Sequence, residues 1–252
     1  MDQGSGRTKE WLRGPLDRYR DYVEQSFRLM SLAISGISRM TNDPRLIEAI
    51  VNYEMTISDA NEQTEDQQGR IVEARTRGEF ATQEVEQGFP FLCGHTIVGL
   101  WGAFEAAMED FLVRWILYNP GSLEAVSQLR LRVPATNFMN ATDQERAQLL
   151  LAELSRNLQA DVKSGISRFE ELLSRFDLAG NPEQELRRKI FEMQQVRHIW
   201  AHRGGLADVQ FKERCPWFDV EVEELVKVDM DKVEDYGSAT IYYITDIWKR
   251  VP

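Results

Sequence analysis

The chain of 252 residues sets 30 Lys and Arg against 41 Asp and Glu, a formal net charge of −11, with 42% hydrophobic and 28% charged residues. That composition suits one large or two small globular domains with enough apolar material for a core, and the acidity argues against coating duplex DNA by bulk charge, which rests on Lys and Arg. Two cysteines, Cys93 and Cys215, are too few for a disulfide scaffold or a Cys-rich zinc module and point to a reducing, cytoplasmic setting. No apolar run of about 18 residues predicts a membrane span, and the N-terminus has no apolar core of the signal-peptide kind.

In chain order the pattern is mostly helical. Leu16, Tyr19, Val23, Phe27, Met30 and Ile34 recur at intervals of three and four, which predicts a helix from Pro15 to about Met40. Thr41-Asn42-Asp43-Pro44 stops it and starts the next. A second long pattern runs from Leu46 to about Gly78. Its polar stretch, residues 59–69, reads as a solvated helix and leaves a break at Gly69 open. Residues 95–117, after Gly88-Phe89-Pro90, form the most hydrophobic helix, ended by Asn119-Pro120-Gly121. A connection leads to about Phe138. Thr142 with Glu145 three residues on forms a capping box for a helix to about Leu158. Phe169, Leu172, Leu173 and Phe176 line a further amphipathic segment. Asn181 is placed to cap the next helix, with Pro182 in its first turn and Gly204-Gly205 as its stop. Residues 217–228 alternate enough to suggest a short hairpin or two extended pieces, and Asp229 caps a final helix to about Val251. No internal repeat or low-complexity segment stands out.

Chemistry-bearing residues are scarce. There are three histidines, His95, His198 and His202, and two of them fall in Val196–Gly205, VRHIWAHRGG. The segment 183–203 carries five basic residues (Arg187, Arg188, Lys189, Arg197, Arg203) against three acidic ones, so it is locally positive in an acidic chain. This makes it the best anion site. At about 100° per residue, Arg197 falls on the apolar stripe of Leu186, Ile190, Met193 and Trp200, where its charge needs a partner. A carboxylate such as Glu105 or Glu109, a second subunit, or a ligand phosphate would serve. Arg197 and His202 are about 140° apart on an ideal helix, so they converge only if the helix ends near His202 or a second copy contributes.

Two patterns compete for this segment. His198, His202, Gly205 and Asp208 fit the spacing of a zinc protease, but Ile199 occupies the general-base position, and no metal or other cofactor is expected. The second pattern is an Arg followed by a polar residue and, after the shortest spacing of the motif R-x(4–6)-H, a His. Arg197, His198 and His202 fit it, and RHIWAHRGGLAD resembles the form common in the HEPN superfamily, where the motif ends a helix and runs into a Gly-containing turn and an Asp. The 95–117 helix with Glu105 or Glu109 resembles the family's apolar first helix, and the extended stretch and last helix resemble its closing portion. The likeness covers roughly residues 90–252.

The resemblance implies an all-α antiparallel bundle, with an N-terminal helical region over residues 1–88 and a HEPN-like domain over residues 89–252. It also implies a homodimer in which two motifs face each other, and a metal-independent endoribonuclease of the toxin or defence type acting on RNA. His202 would then be the acid/base, Arg197 the phosphate-binding group and His198 the polar member that orients them, with Arg203 steering a phosphate. The alternative is a non-catalytic scaffold in which the motif builds an interface. His95 reads as a structural start to its helix, Cys215 as a packed thiol, and Trp101 and Trp115 as core or dimer contacts. Asn140-Ala141-Thr142 is a glycosylation sequon without meaning in a cytoplasmic protein. The long N-terminal helices are expected to pack on their own bundle, to extend the dimer, or to hold a protein partner such as an antitoxin.

Overall fold

The structure is a computed structural model that describes residues 10–58, 63–119, 121–122, 132, 135–156 and 164–252. Among these residues there are ten helices and no strand: α1 (Glu10–Met40), α2 (Asp43–Ser58), α3 (Glu65–Glu86), α4 (Pro90–Tyr118), α5 (Ala135–Asn140), α6 (Asp143–Arg156), α7 (Ser167–Ser174), α8 (Gln184–Arg203), α9 (Val209–Arg214) and α10 (Met230–Arg250). The protein is an all-α helical bundle.

The bundle is organised around α4, which packs against α1, α6, α8 and α10. Its apolar residues point in every direction: Ile97, Leu100, Trp101, Phe104, Met108, Phe111 and Leu112 are all buried. By length and composition it is long and apolar enough to cross a membrane, which the count of consecutive apolar residues had not suggested. Here its apolar surface is covered by the other helices, as a central helix requires. Its charged residues find partners at the bundle edge. Glu105 and Glu109 face Arg168, and Arg114 donates to the Trp11 carbonyl at 2.7 Å.

The core extends beyond residues 89–252. Leu12, Tyr19, Val23 and Met30 of α1 belong to the same buried cluster as α4, α8 and α10, and the Tyr19 and Thr240 hydroxyls share a buried hydrogen bond of 2.6 Å. Of the roles expected for the N-terminal helices, α1 thus packs on its own bundle. Helices α2 and α3 form a hairpin tied by Arg70 to Glu54 and Arg75 to Glu48, with α3 laid on α1. The buried Glu84 of α3 accepts from the amides of Phe91 and Leu92 and so caps α4, which has no side-chain cap of its own. Leu46, Tyr53 and Ile57 line the outer side of α2 and stay exposed.

Several expected boundaries shift. The helix break in the polar stretch falls at Thr64, not at Gly69: Thr64 and Gln67 form a reciprocal capping box, and the helix runs through Gly69 to Glu86. Residues 59–62 of that stretch lie outside the described residues, as do Pro120 of the Asn119-Pro120-Gly121 stop and residues 157–158 at the end of α6. Thr142 and Glu145 form the expected box, and Asp229 caps α10 through the Lys232 amide at 2.9 Å. Helix α8 starts after Glu183, not at the expected Asn181–Pro182; the Pro182 carbonyl accepts from Arg187 Nε at 3.1 Å. The 217–228 stretch makes no hairpin of its own. It pairs with the segment after α8, through Val226 N to Gly205 O at 2.8 Å and Ala207 N to Glu224 O at 2.9 Å, leaving a single antiparallel bridge between Leu206 and Leu225.

Candidate histidine site at the end of α8

The last turns of α8 are held from beneath by Trp200. Its ring lies against Gly94 of α4 so closely that a Cβ there would meet ring carbons at 2.2 Å. Phe91 meets it edge-on at 5.4 Å, and its Nε1 donates to the Val226 carbonyl at 3.2 Å. Gly204 (φ 62°) and Gly205 (φ 89°) take left-handed backbone, and both amides turn back onto the Ile199 carbonyl. Glycine suits this conformation and satisfies the orphan carbonyls of the helix end. With Ile199 and Trp200 buried, His198 and His202, on the opposite side of the turn, face solvent.

The two imidazoles lie side by side, ring centroids 4.9 Å apart. His198 is held below the ordinary histidine range, first by partial desolvation, then by repulsion from His202 and from Arg197 and Arg214, with Asp208 opposing. The lowered His198 favours its neutral imidazole, which can accept a hydrogen bond or a proton.

Arg197 points elsewhere. Its Nη2 meets Glu105 Oε2 at 3.3 Å, and Arg168 takes the other oxygen of the same carboxylate at 3.1 Å. Of the partners expected for a guanidinium on the apolar stripe, the single chain supplies the carboxylate of Glu105, and 29% of the Arg197 side chain remains exposed. Because α8 stays regular through Arg203, the wheel separation from His202 is preserved and the two do not converge within one chain. Arg203 is engaged by the Glu223 carboxylate and by the Leu206 carbonyl at 3.3 Å. The structure thus brings together the two histidines, and it keeps Arg197 and Arg203 on other partners.

The cation beside the histidines that sequence reasoning did not single out is Arg214, at the end of α9. Its Nη1 donates to Gln195 Oε1 at 3.2 Å, and it has no carboxylate partner among the described residues. No local spacing announces it, because α9 is six residues long and folds back on α8 only through the turn at Gly204–Gly205. Of the residues of the zinc-protease spacing, His198 and His202 lie together. The Asp208 carboxylate accepts from the Phe211 amide at 2.7 Å and caps α9, and among the described residues no cluster of three or more His, Cys, Asp or Glu side chains is arranged to hold a metal.

His95 lies in the second turn of α4, its ring 6.1 Å from that of Trp200. Cys93 and Cys215 are buried free thiols, pushed up by burial to about 11 and about 12. Trp101 and Trp115 are core residues. No protein-family model matches the chain, and neither a curated protein nor a solved structure is significantly similar to it.

Proposed function

We propose that this chain is a metal-independent endoribonuclease of the HEPN type, a defence or toxin-like effector working in the cytoplasm. The observation that carries the reading is the exposed His198–His202 pair at a helix end, with Arg197 and Arg214 near enough to act on His198, in an otherwise acidic chain. A neutral imidazole takes the proton of a ribose 2′-hydroxyl, whose oxygen attacks the adjacent phosphorus. The bond from phosphorus to the 5′-oxygen breaks, that oxygen gains a proton, and a 2′,3′-cyclic phosphate remains. A guanidinium stabilises the charge rising on the phosphoryl oxygens.

The separation of Arg197 from His202 favours a site completed across a homodimer, with Arg197 of one copy serving His202 of the other. One observation favours the second reading, a non-catalytic scaffold: Arg197 already has a carboxylate in Glu105. For catalysis Arg197 must exchange that partner for phosphate. The exposed Leu46, Tyr53 and Ile57 on α2 support a protein partner, such as an antitoxin, on the N-terminal helices.

Purified protein incubated with total RNA in EDTA is expected to cleave it, and His202→Ala and Arg197→Ala to lower the rate by about a hundredfold or more. An equimolar mixture of the two variants is expected to recover about a quarter of wild-type activity, because half of the dimers then hold one intact composite site. Cleavage surviving in both variants removes these residues from the chemistry, and a silent mixture removes the shared site.

A further inference from the structure

One edge of α8 carries more than the histidines. Counting about 100° per residue, Arg188, Phe191, Gln195, His198 and His202 fall within about 80° of one another, whereas Arg197 is opposite Arg188. At the start of this edge is a cleft of about 730 Å³ between α7, α8 and the loop after α9. The Arg188 guanidinium lies over the Trp217 ring, 4.6 Å from its centroid. Trp217 is 40% exposed, and its Nε1 is fixed by the buried Glu192. Arg187, Phe191 and the acidic Glu185 also line the cleft. Neither Arg187 nor Arg188 has a carboxylate partner among the described residues, although the chain holds more acids than bases. Arg214 stands further along the same edge.

We infer that this cleft is a nucleotide subsite for single-stranded RNA, in which Arg187 and Arg188 hold phosphate while a base stacks on the Arg188–Trp217 pair, so that the strand runs along α8 to the histidines. The inference rests on the ribonuclease reading and names how its substrate is held. Arg188 lies about 15 Å from His198 along the helix axis, a span of a few nucleotides. An unpaired guanidinium stacked on an exposed indole offers both a phosphate fork and a flat surface for any base. An acidic peptide would use the arginines but not the indole. A duplex keeps its bases stacked inside and would use only the charge.

The test uses the full-length His202→Ala protein, so that RNA is bound without being cut, and follows anisotropy of a short labelled single-stranded oligoribonucleotide. Adding Arg188→Ala or Trp217→Ala is expected to weaken binding about tenfold. Arg188→Ala is also expected to lower the slope of log K against log salt by about 0.7, and Arg188→Lys to keep that slope while losing part of the affinity. Both side chains reach solvent, so circular dichroism should be unchanged. The same sequence as a duplex should bind more weakly. The subsite is overturned if the parent does not bind the oligonucleotide at low salt, if the Arg188 and Trp217 variants bind like the parent, or if duplex or poly-glutamate competes as well as the single strand. The two readings separate cleanly. Loss of binding in the variants of a chain that cuts no RNA keeps the subsite and ends the nuclease reading; cutting with unchanged binding does the reverse.

Discussion

His198 and His202 share one exposed turn, and their closeness sets their acid–base behaviour. Because desolvation and then the His202 charge hold His198 below its ordinary range, an NMR titration of the imidazole carbons should place His198 below about 6.5, and His202→Ala should move it up. A His198 titration unchanged by His202→Ala would contradict the pairing. Acidification through this range charges His198, the member placed to orient the acid/base, so cleavage should fall as the pH drops below about 6.5. A second residue-scale feature governs stability. Glu170 is buried beneath α10, bound by Arg250 Nη1 at 2.8 and 2.9 Å, by the Tyr243 hydroxyl at 2.8 Å and by the Gly180 amide at 2.8 Å. Its pair with Arg250 is nearly closed to solvent. Removing the cation leaves a buried carboxylate without its charge partner, so Arg250→Ala should cost about 3–5 kcal/mol in urea unfolding. A loss below about 1 kcal/mol would mean that the carboxylate is effectively solvated.

Helix α8 is placed by contact rather than by propensity. Gly94 gives Trp200 the room to lie flat on α4, and Trp200 in turn fixes the side of α8 on which the histidines emerge. Gly94→Ala should therefore cost roughly 1–3 kcal/mol by overpacking and lower RNA cleavage out of proportion to the loss of folded protein; wild-type stability and rate in this variant would refute the role. This contact also marks where sequence reading stops. The helices with strong periodicity or a capping residue, α1, α4, α6 and α10, were legible because their determinants are local: Thr142 with Glu145, and Asp229. The start of α8 falls two residues later than Asn181 suggested, with Glu183 at the cap position and the Pro182 carbonyl taken by Arg187. Helix α9 and the pairing of residues 205–207 with 223–226 depend on chain segments meeting in space. Arg214 and the Arg188–Trp217 stack were invisible for the same reason, whereas the need of Arg197 for some partner followed from helix geometry, which left a carboxylate, a second subunit and a phosphate open.

At the scale of the molecule, α1 is packed into the bundle, so removal of residues 10–40 would expose α4 and is a deletion of core. The net charge of −11 coexists with the basic residues of α8, so the phosphate binding proposed there should be salt-sensitive. Both thiols sit in the core, and their folded pKa values lie above the unfolded value of about 8.5. The stability they contribute is complete below that pH and is lost as the pH rises through about 11 and about 12. A thiol reagent at pH 8 should leave the native protein unmodified and label both cysteines once it is unfolded; rapid labelling of the native chain would show that the core opens. The proposed activity depends on the chemistry of the histidine pair. The most direct measurement is cleavage of end-labelled RNA in EDTA, with the product ends identified and with a matched strand carrying 2′-deoxyribose at the cut position. The account predicts 2′,3′-cyclic phosphate ends, no cut at the deoxy position and no cleavage by His202→Ala. Intact RNA with the wild-type chain, or cutting that persists at the deoxy position, would contradict it.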